Sequence, residues 1–234
     1  MMEENRNENT RSENTEANNP SALWPSKLFI TGIDTDAGKS YATGWLANYI
    51  NSHDGNAMTM KFVQTGNHDM SEDILVHRRV MGIDPVPADL LHITAPEIFS
   101  YPCSPDLAAK IDGREINLKM ITDAADELTR EYGTVLIEGA GGLMVPLKGE
   151  YLTLDYIKEH NLPTVLVTNG SLGSISHTLL ALSAIKNANI ELFAVIYNSY
   201  FDYDKIIAED TRNYIRDWLE NHFDGTLFLE MGPL

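Results

Sequence analysis

The stretch Leu28-Phe-Ile-Thr-Gly-Ile-Asp-Thr-Asp-Ala-Gly-Lys-Ser40 constrains this chain more than any other. A short apolar run enters a loop bounded by glycines, and Gly38-Lys39-Ser40 opens an amphipathic segment. Ala42, Trp45, Leu46, Tyr49 and Ile50 then recur at helical spacing on one face. Strand, glycine-bounded loop and helix in that order make a P-loop, whose backbone N–H groups and helix N-terminus surround phosphate oxygens. In such a loop Lys39 reaches the outer phosphates and the Ser40 hydroxyl ligates Mg²⁺. Five residues separate Gly32 from Gly38, where the usual pattern has four, and this narrows the choice of family.

The rest of the chain repeats the alternation. Strand patterns fall at Lys27–Thr31, Met58–Val63, Thr134–Glu138, Thr164–Thr168 and Leu192–Tyr197, with a weaker one at Thr226–Leu229. Several are continuously apolar and β-branched, as in strands buried on both faces. Helical faces lie between them: Leu118, Ile121, Ala125 and Leu128 form one, and Ile207, Thr211, Tyr214 and Trp218 another. The fold class expected is α/β, a doubly wound, mostly parallel sheet with helices on both faces. Five prolines between Pro85 and Pro105 exclude a single helix there and predict a long irregular crossing. Residues 26–234 are expected to form one P-loop domain.

Residues 1–25 read differently. Met1 to Pro20 hold six Asn, five Glu and two Arg with almost no apolar residue, the composition of a disordered polar tail, with a partner-binding arm as the alternative. Trp24 is placed to pin the end of that tail. A formal net charge of −17 argues against a nucleic-acid partner. The single cysteine, Cys103, permits no internal disulfide and reads as a small packed residue. No run is long and apolar enough for a membrane span and no signal peptide is visible, so the cytoplasm is the expected location.

Ligands of open parallel sheets bind beyond the carboxyl ends of the strands. The second strand ends in Met60-Lys61-Phe-Val-Gln-Thr65-Gly66, the third in Glu138-Gly-Ala-Gly-Gly142, the fourth in Thr168-Asn-Gly-Ser-Leu-Gly173 and the fifth in Tyr197-Asn198. Glu138 closes an apolar strand beside four small residues, a good place for a metal-holding carboxylate or for a solvated loop glutamate. Lys61 interrupts an apolar strand, which points to a charged partner such as phosphate, or to a lysine snorkelling at a strand end. Asp73 reads equally as a metal ligand or as a first-turn carboxylate favoured by the helix dipole.

Taken in order, Gly32–Ser40, Lys61 with Thr65-Gly66, Phe99–Pro105, Glu138–Gly142 and Leu172-Gly-Ser-Ile-Ser-His177 resemble dethiobiotin synthetase over about residues 27–200. The resemblance implies a Mg²⁺- and ATP-dependent cyclo-ligase. It converts 7,8-diaminononanoate (diaminopelargonate) and CO₂ to dethiobiotin in biotin biosynthesis. Carried over by position, it implies Lys61, Lys39 and Thr35 as catalytic residues. Asp34, Thr35, Asp36, Ala37, Gly38, Lys39, Ser40, Tyr41 and Asn198 bind nucleotide, Asn198 at the adenine edge. Lys61, Thr65, Gly141, Gly173 and Ser176 bind substrate, and Ser40, Asp73 and Glu138 hold Mg²⁺. It also implies a homodimer with the substrate site near the interface.

Phe62 stands where that family usually has proline, and Ser176 where it usually has asparagine. His177 matches the family pattern and suits a packed or capping histidine equally. Other readings of the same scaffold are a switch ATPase, a glutamine-dependent amidase and a small-molecule kinase. Ile33, Asp34 and Thr35 fill the place of the switch ATPase's early lysine. The amidase needs an added glutaminase domain for which this chain leaves no room.

Overall fold

A computed structural model describes residues 24–234; the expected tail, up to residue 23, lies outside them. The chain begins with β1 (Lys27–Gly32), α1 (Lys39–Asn51), β2 (Ala57–Lys61), β3 (Gln64–Thr65), α2 (Glu72–Met81) and α3 (Pro87–Leu90). There follow β4 (Ile98–Phe99), α4 (Pro105–Ile111), α5 (Leu118–Tyr132), β5 (Thr134–Glu138), β6 (Pro146–Lys148) and β7 (Tyr151–Leu152). The last third holds α6 (Thr153–Glu159), β8 (Thr164–Asn169), α7 (Ser174–Asn187), β9 (Leu192–Asn198), α8 (Lys205–His222) and β10 (Leu227–Met231).

Six strands form one sheet in the order β10-β9-β8-β1-β5-β2, and every pairing is parallel. The chain leaves β1 for the β2 edge, returns through β5, then crosses β1 to lay down β8, β9 and β10. Right-handed crossovers in both directions cover both faces with helices, and β1 lies where the strand order reverses. β1, β2, β5 and β8 are buried nearly end to end, as their continuous apolar runs require.

The sequence differs from this architecture in three places. The second strand stops at Lys61, because Gln64 and Thr65 pair with Ile98 and Phe99 in a separate two-stranded sheet. The proline-rich crossing contains short ordered pieces: Pro87 and Pro105 each sit at the first turn of a helix, where a missing N–H is harmless. The buried face of α8 is Ala208, Thr211, Ile215 and Leu219, one residue round from the expected face. Tyr214 is exposed and Trp218 half-buried, because their polar edges suit the rim. Trp24 is buried between Tyr49 and Phe193, at ring distances of 6.2 and 5.7 Å.

Candidate active site

The loop after β1 turns at Gly38, whose φ of 86° lies in the left-handed region. A side chain there meets a second obstacle, since a Cβ would stand 2.3 Å from Asn198 Nδ2. Asn198, buried at the end of β9, donates from Nδ2 to Ala37 O at 3.2 Å and accepts at Oδ1 from Tyr200 N at 3.1 Å. Its amide thus staples the loop to the end of the fifth strand. Asp34, Thr35 and Asp36 are exposed on the loop and Ala37 is buried. Lys39 is buried and folds back, its Nζ donating to Asp34 O at 2.8 Å and Thr35 O at 3.1 Å. Burial lowers the Lys39 pKa, with nearby Lys61 adding to the effect and Glu138 opposing it.

Register brings the charged cluster together. Lys61 and Glu138 are paired positions at the ends of β2 and β5, so both side chains leave the sheet at one level. Lys61 Nζ donates to Glu138 Oε1 at 2.9 Å and to Gly139 O at 3.2 Å, and pairs with Asp73 Oδ2 at 2.5 Å. Ser40, in the first turn of α1, donates from Oγ to Glu138 Oε1 at 2.9 Å or to Asp73 Oδ1 at 3.0 Å. Asp73 arrives on the first turn of α2, whose N-cap Ser71 accepts from Ile74 N at 3.2 Å.

Burial alone would raise the Glu138 pKa, but Lys61 and His77 outweigh it and hold the carboxyl well below its usual range. Burial alone would lower the Lys61 pKa, but Glu138 and Asp73 raise it. Glu138 is therefore a carboxylate and Lys61 an ammonium at neutral pH. Ser40, Asp73 and Glu138 present a hydroxyl and two carboxylates to one point. Such a sparse, all-oxygen set suits Mg²⁺ that keeps waters and shares its shell with phosphates. Among the described residues no group of three or more His, Cys, Asp and Glu forms a cage for a metal.

Comparison with known proteins identifies the family. A family model described as an AAA domain matches residues 26–220. ATP-dependent dethiobiotin synthetase BioD 2 of Pasteurella multocida is 46% identical over 200 residues, 86% of this chain and 94% of that one. The corresponding BioD 2 of Haemophilus ducreyi is 45% identical over 204 residues, 87% of this chain and 97% of its own. BioD of Chlorobaculum tepidum is 44% identical over 195 residues, 83% and 82% of the two chains. The chain belongs to the dethiobiotin synthetase family.

Within that family frame, the remaining expected residues sit at different distances from the cluster. A Cβ on Gly141 would lie 3.9 Å from Thr35 Oγ1, so the glycine-rich loop after β5 packs against the P-loop. Thr65 lies four residues beyond Lys61, half-buried in β3. Gly173 and Ser176 open α7 beyond β8; both are exposed and, among the described residues, neither hydrogen-bonds to the Lys61 cluster. Tyr41 and Asn198 line a cavity of about 530 Å³ over the loop, together with Tyr200, Phe201, Gly232 and Leu234. Phe62, where the sequence resemblance expects proline, donates its N–H to Glu138 O at 2.8 Å. Proline has no N–H to give, so this chain extends the β2–β5 ladder by one bond beside Lys61 and Glu138.

Sequence reasoning missed His77. It is fully buried one turn after Asp73, with Nε2 2.5 Å from Glu138 Oε2 and Nδ1 3.0 Å from Thr59 Oγ1. The available signal was the i, i+4 spacing of Asp73 and His77, which puts both on one face of α2.

Proposed function

We propose that this chain catalyses the ATP-dependent closure of 7,8-diaminononanoate and CO₂ to dethiobiotin, releasing ADP and phosphate. The observation that carries this reading is the meeting of Ser40 Oγ and Lys61 Nζ on one oxygen of Glu138, beside the P-loop. A phosphate cradle, an oxygen ligand set and a second buried lysine then share one point. Phosphoryl transfer to an acid group needs all three, because positioning and charge neutralisation supply most of its rate.

In the proposed reaction the substrate's 7-amino nitrogen bonds to CO₂ and loses a proton, forming a carbamate. A carbamate oxygen attacks the γ-phosphorus of ATP and ADP leaves. The 8-amino nitrogen then attacks the carbamoyl carbon of the mixed anhydride, loses a proton and expels phosphate as the ring closes. Lys39 gives up its bonds to Asp34 O and Thr35 O and donates to the β- and γ-phosphates. Lys61 donates to the carbamate and the γ-phosphoryl oxygens, holding them together for in-line attack. Thr35, Thr65 and Gly141 line the reacting end, while Gly173 and Ser176 serve the far, carboxylate end of the substrate. Asn198 and Tyr41 border the base. Ser40, Asp73 and Glu138 would hold Mg²⁺, which when bound would supply charge neutralisation for the phosphoryl transfer.

The active form in this reading is a homodimer. Leu172 and Leu180 flank Gly173 and Ser176 and are 87% and 67% exposed, an apolar surface beside the expected carboxylate end. The use of ATP and the free thiol of Cys103 fit a cytoplasmic setting. No helix among the described residues is long and apolar enough to cross a membrane.

The deciding experiment follows phosphate release from ATP and Mg²⁺ with diaminononanoate, with and without bicarbonate. Release that requires both, with dethiobiotin identified by mass spectrometry, is the expected outcome. Release that needs the amine but ignores bicarbonate would replace the ligase by a kinase.

A further inference from the structure

Glu138 divides its two oxygens. Oε1 faces Ser40 and Lys61, while Oε2 is turned inward and met by His77 Nε2. Arg78 is a donor only, and its Nη1 donates to Thr59 Oγ1 at 2.8 Å. Thr59 Oγ1 lies 3.0 Å from His77 Nδ1, and among the described residues no other acceptor is within reach of its single hydroxyl proton. The Thr59 hydroxyl therefore donates to Nδ1, which leaves the ring proton on Nε2 to be donated to Glu138.

The chain ends on a fixed point. Arg78 is bound to Asp89 by two bonds, Nε to Oδ2 at 2.9 Å and Nη2 to Oδ1 at 2.7 Å. Thr94 Oγ1 and Val86 N complete the Asp89 carboxylate at 2.6 and 2.8 Å. The same segment holds Lys61, whose backbone N–H donates to Thr94 O at 2.7 Å. Thr59, His77, Arg78, Asp89 and Thr94 are all buried.

We infer that His77 is a positioning residue for the metal site. Its Nε2–H pins Glu138 Oε2 so that Oε1 alone faces the metal, and Thr59 and the Arg78–Asp89 pair fix its tautomer and orientation. The inference rests on the reading of Glu138 as a metal ligand. An outer partner of this kind typically sets about 10- to 100-fold in metal affinity.

The test measures binding without turnover: Mn²⁺ titrated into the protein with a non-hydrolysable ATP analogue, free Mn²⁺ being read by electron paramagnetic resonance. His77→Leu is expected to weaken Mn²⁺ binding by about 10-fold or more. His77→Gln keeps a donor near the Nε2 position and recovers most of that loss. Glu138→Gln, run in parallel, should abolish tight binding. Unchanged binding in Glu138→Gln would remove the ligand reading itself. Loss in Glu138→Gln with wild-type binding in His77→Leu would overturn the inference about His77 alone. Equal weakening in the Leu and Gln variants, with equally lowered melting temperatures, would reduce His77 to a packing role and also overturn it. Should the Leu variant not fold, the wild-type protein still answers. ¹⁵N spectra of labelled histidine should show His77 protonated at Nε2 and bare at Nδ1, and the opposite tautomer would break the chain of donors.

Discussion

Lys61 carries one positive charge against two carboxylates, and that imbalance decides what its removal does. Lys61→Ala leaves Asp73 and Glu138 facing each other, but Glu138 keeps Ser40 and His77 as donors. The stability loss should therefore fall at the lower end of the roughly 3–5 kcal/mol seen when one partner of a buried pair is deleted. The rate loss should be larger, about 10²–10³ in kcat, because in the proposed reaction the ammonium neutralises charge that develops during transfer. Phosphate release at saturating substrates, assayed well below the variant's melting temperature, separates the two effects. Near-normal turnover would take Lys61 out of the reaction. Both Lys61 and Glu138 were legible in the sequence because each breaks a pattern, a charge inside or at the end of an apolar strand. His77 breaks none: a histidine on an amphipathic helix has many ordinary uses. Its partner Glu138 lies 61 residues away, a pairing that only the fold brings about. For Asn198 the place was legible, but its hold on the P-loop was not, since that depends on β9 ending beside Ala37.

Two helices aim the groups proposed to hold Mg²⁺, so in that reading their separation is a functional distance. α1 carries Ser40 and α2 carries Asp73 and His77, and they touch at Gly44. A Cβ on Gly44 would lie 2.9 Å from Val80 Cβ and 3.1 Å from both Cα and O of His77. Gly44→Ala gains about 1 kcal/mol in helix propensity and loses about 1–3 kcal/mol to overpacking. Its melting temperature should thus fall only modestly. The clash pushes α2 away from α1, however, and takes Asp73 and His77 with it. The Mg²⁺ concentration for half-maximal activity should rise severalfold, while Gly82→Ala, strained by its φ of 70° at the α2 C-cap but free of any clash, should lower the melting temperature and leave that concentration unchanged. An unaltered Mg²⁺ titration in Gly44→Ala would show that α2 can shift without disturbing the site. At this scale the strands were the most legible part, because continuous β-branched runs have few other uses. Helix faces were read less well where aromatic residues intervene. Tyr214 and Trp218 count as apolar in a periodicity, yet α8 buries the smaller Ala208, Ile215 and Leu219 against the sheet. The β3–β4 pair was invisible, being two residues on each side with no periodicity to show.

Across the whole molecule, a net charge of −17 and a buried ionic cluster push stability in opposite directions as pH falls. Protonating surface carboxylates relieves self-repulsion and favours the compact state. The buried carboxylates act the other way. Glu138 and Asp89 both have folded pKa values held below their ordinary 4.5 and 3.8. In each, burial works against the shift: Lys61 and His77 overcome it at Glu138, and Arg78 and Thr94 at Asp89. A group with a depressed folded pKa stabilises above its unfolded value, and that contribution is lost as pH falls through the folded one. Melting temperature should therefore hold or rise slightly as pH falls toward 4.5, then drop below it. Lys61 has the opposite sign: its raised pKa stabilises the fold below 10.5, and that part fades as pH rises through the folded value. Glu138→Gln isolates the Glu138 contribution, because it keeps the shape and deletes the titration. The variant should melt below wild type at pH 7, since Lys61 loses its fully buried partner, and should lose less on going below pH 4.5. Thermal melts of both proteins across that range, at one ionic strength, give the comparison. Parallel acid limbs would assign the drop to Asp89 and the surface carboxylates and leave Glu138 no part in acid unfolding.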